Sequence, residues 1–135
     1  MTKSCAETDL QLAEAAHQLL VARYHKDRHE IGAALRTRSG RLFAAVNVDT
    51  QLGRMAVCAE AVAIGMAAAA GDTEIEVIVA VNKRWAGGLA LRCLPGEIAD
   101  YASDCRVIIP GQAGPEVTLI TELFPHRYRK DGRPR

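Results

Sequence analysis

Val57-Cys58-Ala59-Glu60-Ala61-Val62-Ala63 heads a stretch of Ala, Val, Ile and Met that runs to Ala70 and stops at Gly71-Asp72. The pattern predicts a helix over 57–70, apolar almost all round, which suits a buried, central position. At its start a thiol and a carboxylate stand two residues apart. A helix N-terminus carries partial positive charge and favours the thiolate form that metals bind. Positions i and i+2 project to different sides, so Glu60 can stand beside a metal-bound water without ligating the metal. One residue to hold a cation and a neighbour to move protons is the division of labour that metal-assisted hydrolysis needs. The three letters alone fit equally a buried Cys and a salt-bridged Glu.

Outward from this helix the chain alternates in type. Upstream, the strand-like runs 31–36 and 42–48 flank the turn Arg38-Ser39-Gly40-Arg41 and read as a β-hairpin. Before them, Ser4-Cys5-Ala6-Glu7 has capping-box spacing. A helix over about 6–24 follows, with Leu12, Ala16, Leu19, Leu20 and Tyr24 as its buried stripe. The connector His25-Lys26-Asp27-Arg28-His29 is polar and basic. Downstream, 75–81 is a β-branched run typical of a strand covered on both faces. Residues 82–95 lack periodicity. A short helix is expected near 97–101, strands at 107–109 and 117–120, and a short helix over 121–124 that stops before Pro125. The order helix, hairpin, helix, strand, helix, strand predicts a single α/β domain over 1–135, a three-layer α/β/α sandwich around a mixed sheet. Residues 126–135 are expected to be a basic, solvated tail.

Composition is ordinary for a globular chain: 49% hydrophobic and 24% charged, with 17 basic and 16 acidic residues and a net charge of +1. No global field points to nucleic acid or an anionic membrane. The N-terminal residues lack an apolar signal core and no apolar run spans a bilayer, so a cytoplasmic location is expected. The cysteines at 5, 58, 93 and 105 are too irregularly spaced for a disulfide framework. Cys105, followed by Arg106 and an apolar strand, reads as core. His17, His25 and His126 show no ligand spacing and read as surface residues.

Gly32-Ala33-Ala34-Leu35, Ser39-Gly40-Arg41-Leu42-Phe43, Asn47-Val48-Asp49 and the C-A-E helix arrive in that order, and Glu122-Leu123-Phe124-Pro125 closes the chain. From about residue 10 to 130 this resembles the cytidine deaminase family and its blasticidin S deaminase relatives. The resemblance implies a cytidine deaminase-like fold and zinc-dependent hydrolytic deamination of a cytosine nucleoside or nucleoside-like compound. Cys58 would be a zinc ligand. Glu60 would take a proton from the metal-bound water and return it to the base. Asn47, with Asp49 where the family usually has Glu, would contact the sugar hydroxyls; a strand-end Asn and Asp serving a turn fit as well. His29 stands where nucleoside-type members carry Phe. The resemblance also implies a homo-oligomer, dimer or tetramer, closed by C-terminal segments that include Arg127 and Tyr128. The partner is a small-molecule substrate, with neither nucleic acid nor membrane.

The pattern departs at one place. Zinc deaminases follow the first ligand and its glutamate with P-C-x-x-C, which supplies two more thiolates, and a catalytic zinc takes three protein ligands. The corresponding segment here is Leu89-Ala90-Leu91-Arg92-Cys93-Leu94-Pro95-Gly96. It holds one cysteine, Cys93, and leucines where the two thiolates belong. One choice of synonymous codons for this octapeptide, CTC-GCC-CTG-CGG-TGC-CTG-CCG-GG, gives Ser-Pro-Cys-Gly-Ala-Cys-Arg when read one base later. Residues of about 84–96 are therefore expected to be out of frame. With the chain as written, Cys58 and Cys93 are the available thiols. The alternative is then a catalytically inactive deaminase-fold protein that binds a ligand or pairs subunits.

Overall fold

The structure, a computed structural model, describes residues 3–84, 98 and 101–123. Chain order is β1 (Lys3–Ser4), α1 (Glu7–Arg23), β2 (Ile31–Thr37), β3 (Leu42–Val46), α2 (Ala59–Ala69), β4 (Ile75–Asn82), β5 (Arg106–Gly111), β6 (Gly114–Leu119) and α3 (Ile120–Leu123). The strands form one mixed sheet in the order β1-β6-β5-β4-β2-β3. β4 and β5 are parallel, and the other neighbours are antiparallel.

Alternation along β4 builds the sandwich. Val77, Val79 and Val81 face α1 and pack with Leu12, Ala13, Ala16 and Leu20. Ile78 and Ala80 face the other way, joined by Ile75 beyond the register shift opposite Arg36 and Thr37, and pack with Ala63, Ile64 and Ala67 of α2 and with Ile98 and Ile120. Each of these buried Val, Leu or Ile side chains contributes about 1.5–3 kcal/mol, so a strand apolar on both faces is fixed centrally. The three-layer α/β/α arrangement follows. α1 approaches β2 closely: a Cβ added at Gly32 would lie 2.7 Å from the Ala16 carbonyl oxygen.

The β2–β3 hairpin forms as expected, with Gly40 at φ +90° in its turn. Gly71, at φ +72°, ends α2, whose last carbonyls accept from the Ala70, Gly71 and Asp72 amides. Three expectations are corrected. Ser4 does not cap α1 but pairs with Glu116 in β1, and Ala6 stands at the cap without a side-chain bond. Within the expected stripe, Leu12, Ala16 and Leu20 are buried, whereas Leu19 is half-buried and Tyr24 exposed. Finally, α2 is not buried all round, because an outer-layer helix meets the sheet with one face. Gly65, Met66, Ala68 and Ala69 are exposed. The helix expected near 97–101, the end of that expected at 121–124, and the tail lie wholly or largely outside the described residues. No described helix is long and apolar enough to cross a membrane.

At the Thr37 end of β2 lies a network of charges. Asp9, 1% exposed, bonds Arg36 Nη2 through Oδ1 at 3.0 Å and Arg106 Nη1 through Oδ2 at 2.8 Å. Glu76 joins it, 3.0 Å from Arg36 Nε and 3.8 Å from Arg106 Nη2. One carboxylate thereby ties α1 to β2 and β5.

Candidate active site

The opposite end of the sheet holds the residues singled out from the sequence. There β2 begins, β3 ends and β4 ends: Ile31 pairs with Asn82, and the Asn47 amide donates to the Ile31 carbonyl at 3.0 Å. Next, Val48 and Val57 form an isolated antiparallel bridge through two hydrogen bonds, of 2.9 and 2.8 Å. That bridge closes the neck of loop 49–56 and delivers residue 58 beside the strand ends. Cys58 is the residue before α2, in extended conformation, and its carbonyl accepts the Val62 amide. The bridge and the helix start therefore place Cys58 and Glu60 in the same loop cluster as Asn47 and Asp49.

Cys58 is half-buried, whereas Glu60, in the first turn of α2, is only 5% exposed. Burial pushes the Glu60 carboxyl above its ordinary range, and a hydrogen bond from its own backbone amide offsets this in part. A carboxyl moved towards neutrality is suited both to accept and to return a proton.

The Asn47 side-chain oxygen accepts the Glu30 and Ile31 amides at 2.8 and 2.9 Å. The Asp49 Oδ1 accepts the Thr50 amide at 2.9 Å, and the Asp49 amide donates to the Arg28 carbonyl at 3.0 Å. Asn47 thus ties the end of β3 to the start of β2, while the Asp49 side chain serves its own turn. The sequence does not reveal the partner of His29: its Nδ1 lies 2.7 Å from the Asn47 carbonyl oxygen. A carbonyl only accepts, so Nδ1 carries the proton. No pattern within one segment could have shown this pair, whose members are 18 positions apart. Around the loop, Val48, Leu52, Met55 and Val57 expose apolar side chains.

Cys105 is fully buried, donates to the Arg106 carbonyl at 3.2 Å, and has its thiol pushed up to about 12 by burial, so it is core as expected. His17 donates through Nε2 to the Lys83 carbonyl, and His25 bonds the Lys26 carbonyl. Cys93, the whole segment 89–96, Trp85, His126, Arg127 and Tyr128 lie outside the described residues. Among the described residues, no group of three or more His, Cys, Asp or Glu side chains could hold a metal ion. Cys58 and Glu60 alone fall short of the three ligands of a catalytic zinc, so the described donors do not fit that metal by themselves.

A mixed six-stranded sheet between helical layers, with a thiol and a buried carboxylate at the head of one helix, defines a protein of the deaminase fold. A blasticidin-S deaminase from Bacillus cereus is 34% identical over 138 residues, covering 96% of this chain and 99% of its own. Among solved structures, a cytidine deaminase from Mycobacterium leprae matches with a TM-score of 0.73 at 22% identity, over 90% of this chain and 99% of that one. One from Burkholderia pseudomallei matches with a TM-score of 0.64 at 27% identity, over 90% and 98%. No protein-family model matches the chain. The chain belongs to the cytidine deaminase-like family.

Proposed function

We propose that this protein is a hydrolytic deaminase of a cytosine nucleoside or nucleoside-like compound, of the cytidine and blasticidin S type. The observation that carries the reading is the buried Glu60 carboxylate two residues from Cys58 at the head of α2. Glu60 accepts a proton from water as its oxygen adds to C4 of the 4-aminopyrimidine. It then passes that proton to the ring nitrogen and carries the proton of the new C4 hydroxyl to the amino group, so that the C4–N bond breaks, ammonia leaves and the C4 carbonyl forms. Asn47 offers its side-chain amide to the sugar hydroxyls, with Asp49 beside it. The family implies zinc, which would supply an activated water, with Cys58 and Cys93 as the thiols of the written chain. A single domain, a cytoplasmic location and a homo-oligomer, dimer or tetramer, belong to the same reading, as does a small-molecule partner in place of nucleic acid or membrane.

The shortage of donors among the described residues favours a second reading, a deaminase-fold protein without turnover that binds a ligand or pairs subunits. Ammonia release from cytidine and from blasticidin S separates the two. In the active case Glu60→Gln lowers kcat by about 10²–10⁴, with the fold intact by circular dichroism. Undiminished turnover in that variant removes Glu60 from the chemistry, and no release from either compound leaves the second reading.

A further inference from the structure

We infer that His29 is a positioning residue for ligand binding: its ring N–H fixes the Asn47 main chain, and with it the side chain that meets a nucleoside's sugar. The inference rests on the proposed reading of Asn47 as a sugar contact and says what sets that contact.

The connector from α1 to β2 closes on itself before it reaches the sheet. His25 and His29 exchange two backbone hydrogen bonds, of 3.1 and 2.8 Å, and the Arg28 amide donates to the His25 carbonyl at 3.0 Å. Asp27 stands between them at φ +63°, in the left-handed region that Asp tolerates in turns. This turn fixes the His29 backbone, and so the direction in which its ring leaves the chain.

Five hydrogen bonds then lace residues 28–31 to residues 47–49. The Asp49 amide donates to the Arg28 carbonyl and the Asn47 amide to the Ile31 carbonyl, both at 3.0 Å. Asn47 Oδ1 accepts the Glu30 and Ile31 amides at 2.8 and 2.9 Å. His29 makes the fifth through its side chain, from Nδ1 to the Asn47 carbonyl at 2.7 Å. Asn47 is thereby gripped at its amide, its side-chain oxygen and its carbonyl. The first two grips come from the start of β2. The third holds the peptide unit that leads into Val48, whose bridge to Val57 delivers Cys58 to the same cluster. With Oδ1 turned to two amides, a bond from the Asn47 side chain to a sugar hydroxyl is donated by Nδ2. Its direction follows from the side-chain plane that these grips set.

The position of the donor on the side chain decides which residues can replace His29. Phenylalanine offers a ring without any N–H. Asparagine carries its nitrogen on Cγ, where histidine carries Nδ1, whereas glutamine carries it one carbon further on. Asparagine therefore reproduces the bond to the Asn47 carbonyl, and glutamine and phenylalanine do not. His29 is half-buried at the strand ends, so these exchanges leave the core intact.

The test compares His29→Asn, His29→Gln and His29→Phe in the full chain. Calorimetric titration gives Kd for cytidine and for dideoxycytidine, which lacks both hydroxyls of the sugar ring, and ammonia release from cytidine gives KM and kcat. His29→Asn binds cytidine within about twofold of the unaltered chain. His29→Gln and His29→Phe raise Kd and KM for cytidine by about three- to tenfold, the worth of one neutral hydrogen bond, with kcat within about twofold. None of the three alters affinity for dideoxycytidine, or for cytidine once Asn47→Ala is present. A long-range proton–nitrogen NMR spectrum shows the neutral His29 ring protonated at Nδ1. Equal cytidine affinity of His29→Asn and His29→Gln overturns the inference, as does a neutral ring protonated at Nε2. An equal loss for dideoxycytidine, a loss that persists with Asn47→Ala, or a chain that binds no cytidine does so too. A Kd that depends on His29 in this way, without ammonia release, leaves the inference standing and removes the deaminase reading. Glu60-dependent ammonia release with a KM indifferent to His29 does the reverse.

Discussion

Asp9→Ala tests whether one buried carboxylate holds the far end of the sheet together. The substitution removes a side chain that is 1% exposed and bonded through both oxygens, to Arg36 and to Arg106. Two guanidinium groups then share Glu76 as their remaining acidic partner in the network. Breaking a fully buried ion pair costs about 3–5 kcal/mol. Here Arg36, Arg106 and Glu76 are 20%, 34% and 36% exposed, and water recovers part of that cost. The expected loss is about 2–4 kcal/mol. Set against a total of roughly 7–20 kcal/mol for a chain of this length, it is a large fraction. With an unfolding entropy of about 2.1 cal/mol/K per residue, the loss lowers Tm by roughly 7–14 °C. Thermal unfolding followed by circular dichroism gives the value, with Asp104→Ala as control. Asp104 pairs with Arg38 where both side chains are largely exposed, and that change costs under about 1 kcal/mol. Since the network and Glu60 lie at opposite ends of the sheet, KM at low temperature is unchanged. A Tm drop below about 2 °C, or one no larger than the control's, refutes the structural role.

Other consequences are equally measurable. Gly32→Ala places a methyl group 2.7 Å from the Ala16 carbonyl oxygen and 3.0 Å from Leu20 Cβ. It costs about 1–3 kcal/mol in urea unfolding, and an unchanged midpoint contradicts the close approach of α1 to β2. Glu60→Gln stabilises the fold at neutral pH. Burial raises the carboxyl pKa in the folded state, so ionisation penalises the native form above that value and not below the ordinary carboxylate range. The Gln variant's advantage in Tm is therefore present at pH 7.5 and closes as pH falls towards 4; an advantage that grows on acidification reverses the sign and the assignment. Cys105, buried and with its thiol at about 12, stays unmodified by iodoacetamide at pH 8 in the native protein and reacts in urea. Peptide mass spectrometry reads both states, and equal labelling rates contradict its burial.

Periodicity made the central strands and the head of α2 legible. β4 is apolar at successive positions because both of its faces are covered, and residues 31–46 are two strand-like runs around a turn that holds Gly40 at φ +90°. The thiol and carboxylate of Cys58 and Glu60 were readable because their spacing and their place at a helix start lie in one short segment. What stayed hidden depends on partners distant in sequence. Asp9 lies in the first turn of α1, and its burial is intelligible only with Arg36 and Arg106, which lie 27 and 97 positions away. Ser4 matched a capping box, but β6 offered its backbone a strand partner, and pairing prevailed over the cap. The Asn47 side-chain oxygen was open to a substrate in sequence terms. In the fold it is occupied by amides that begin β2.

The Val48–Val57 bridge has a consequence for how such a protein can change. Its two hydrogen bonds pinch residues 49–56 into a bulb whose stem is fixed while its tip stands outside the sandwich. Doubling the length of such a bulb costs only about 0.6 kcal/mol in chain entropy. Insertions or wholesale exchange of the tip can therefore reshape what approaches the strand ends while the helix head below stays in register. Change at the tip and constancy at the helix head are mechanically uncoupled by a single rung of backbone pairing.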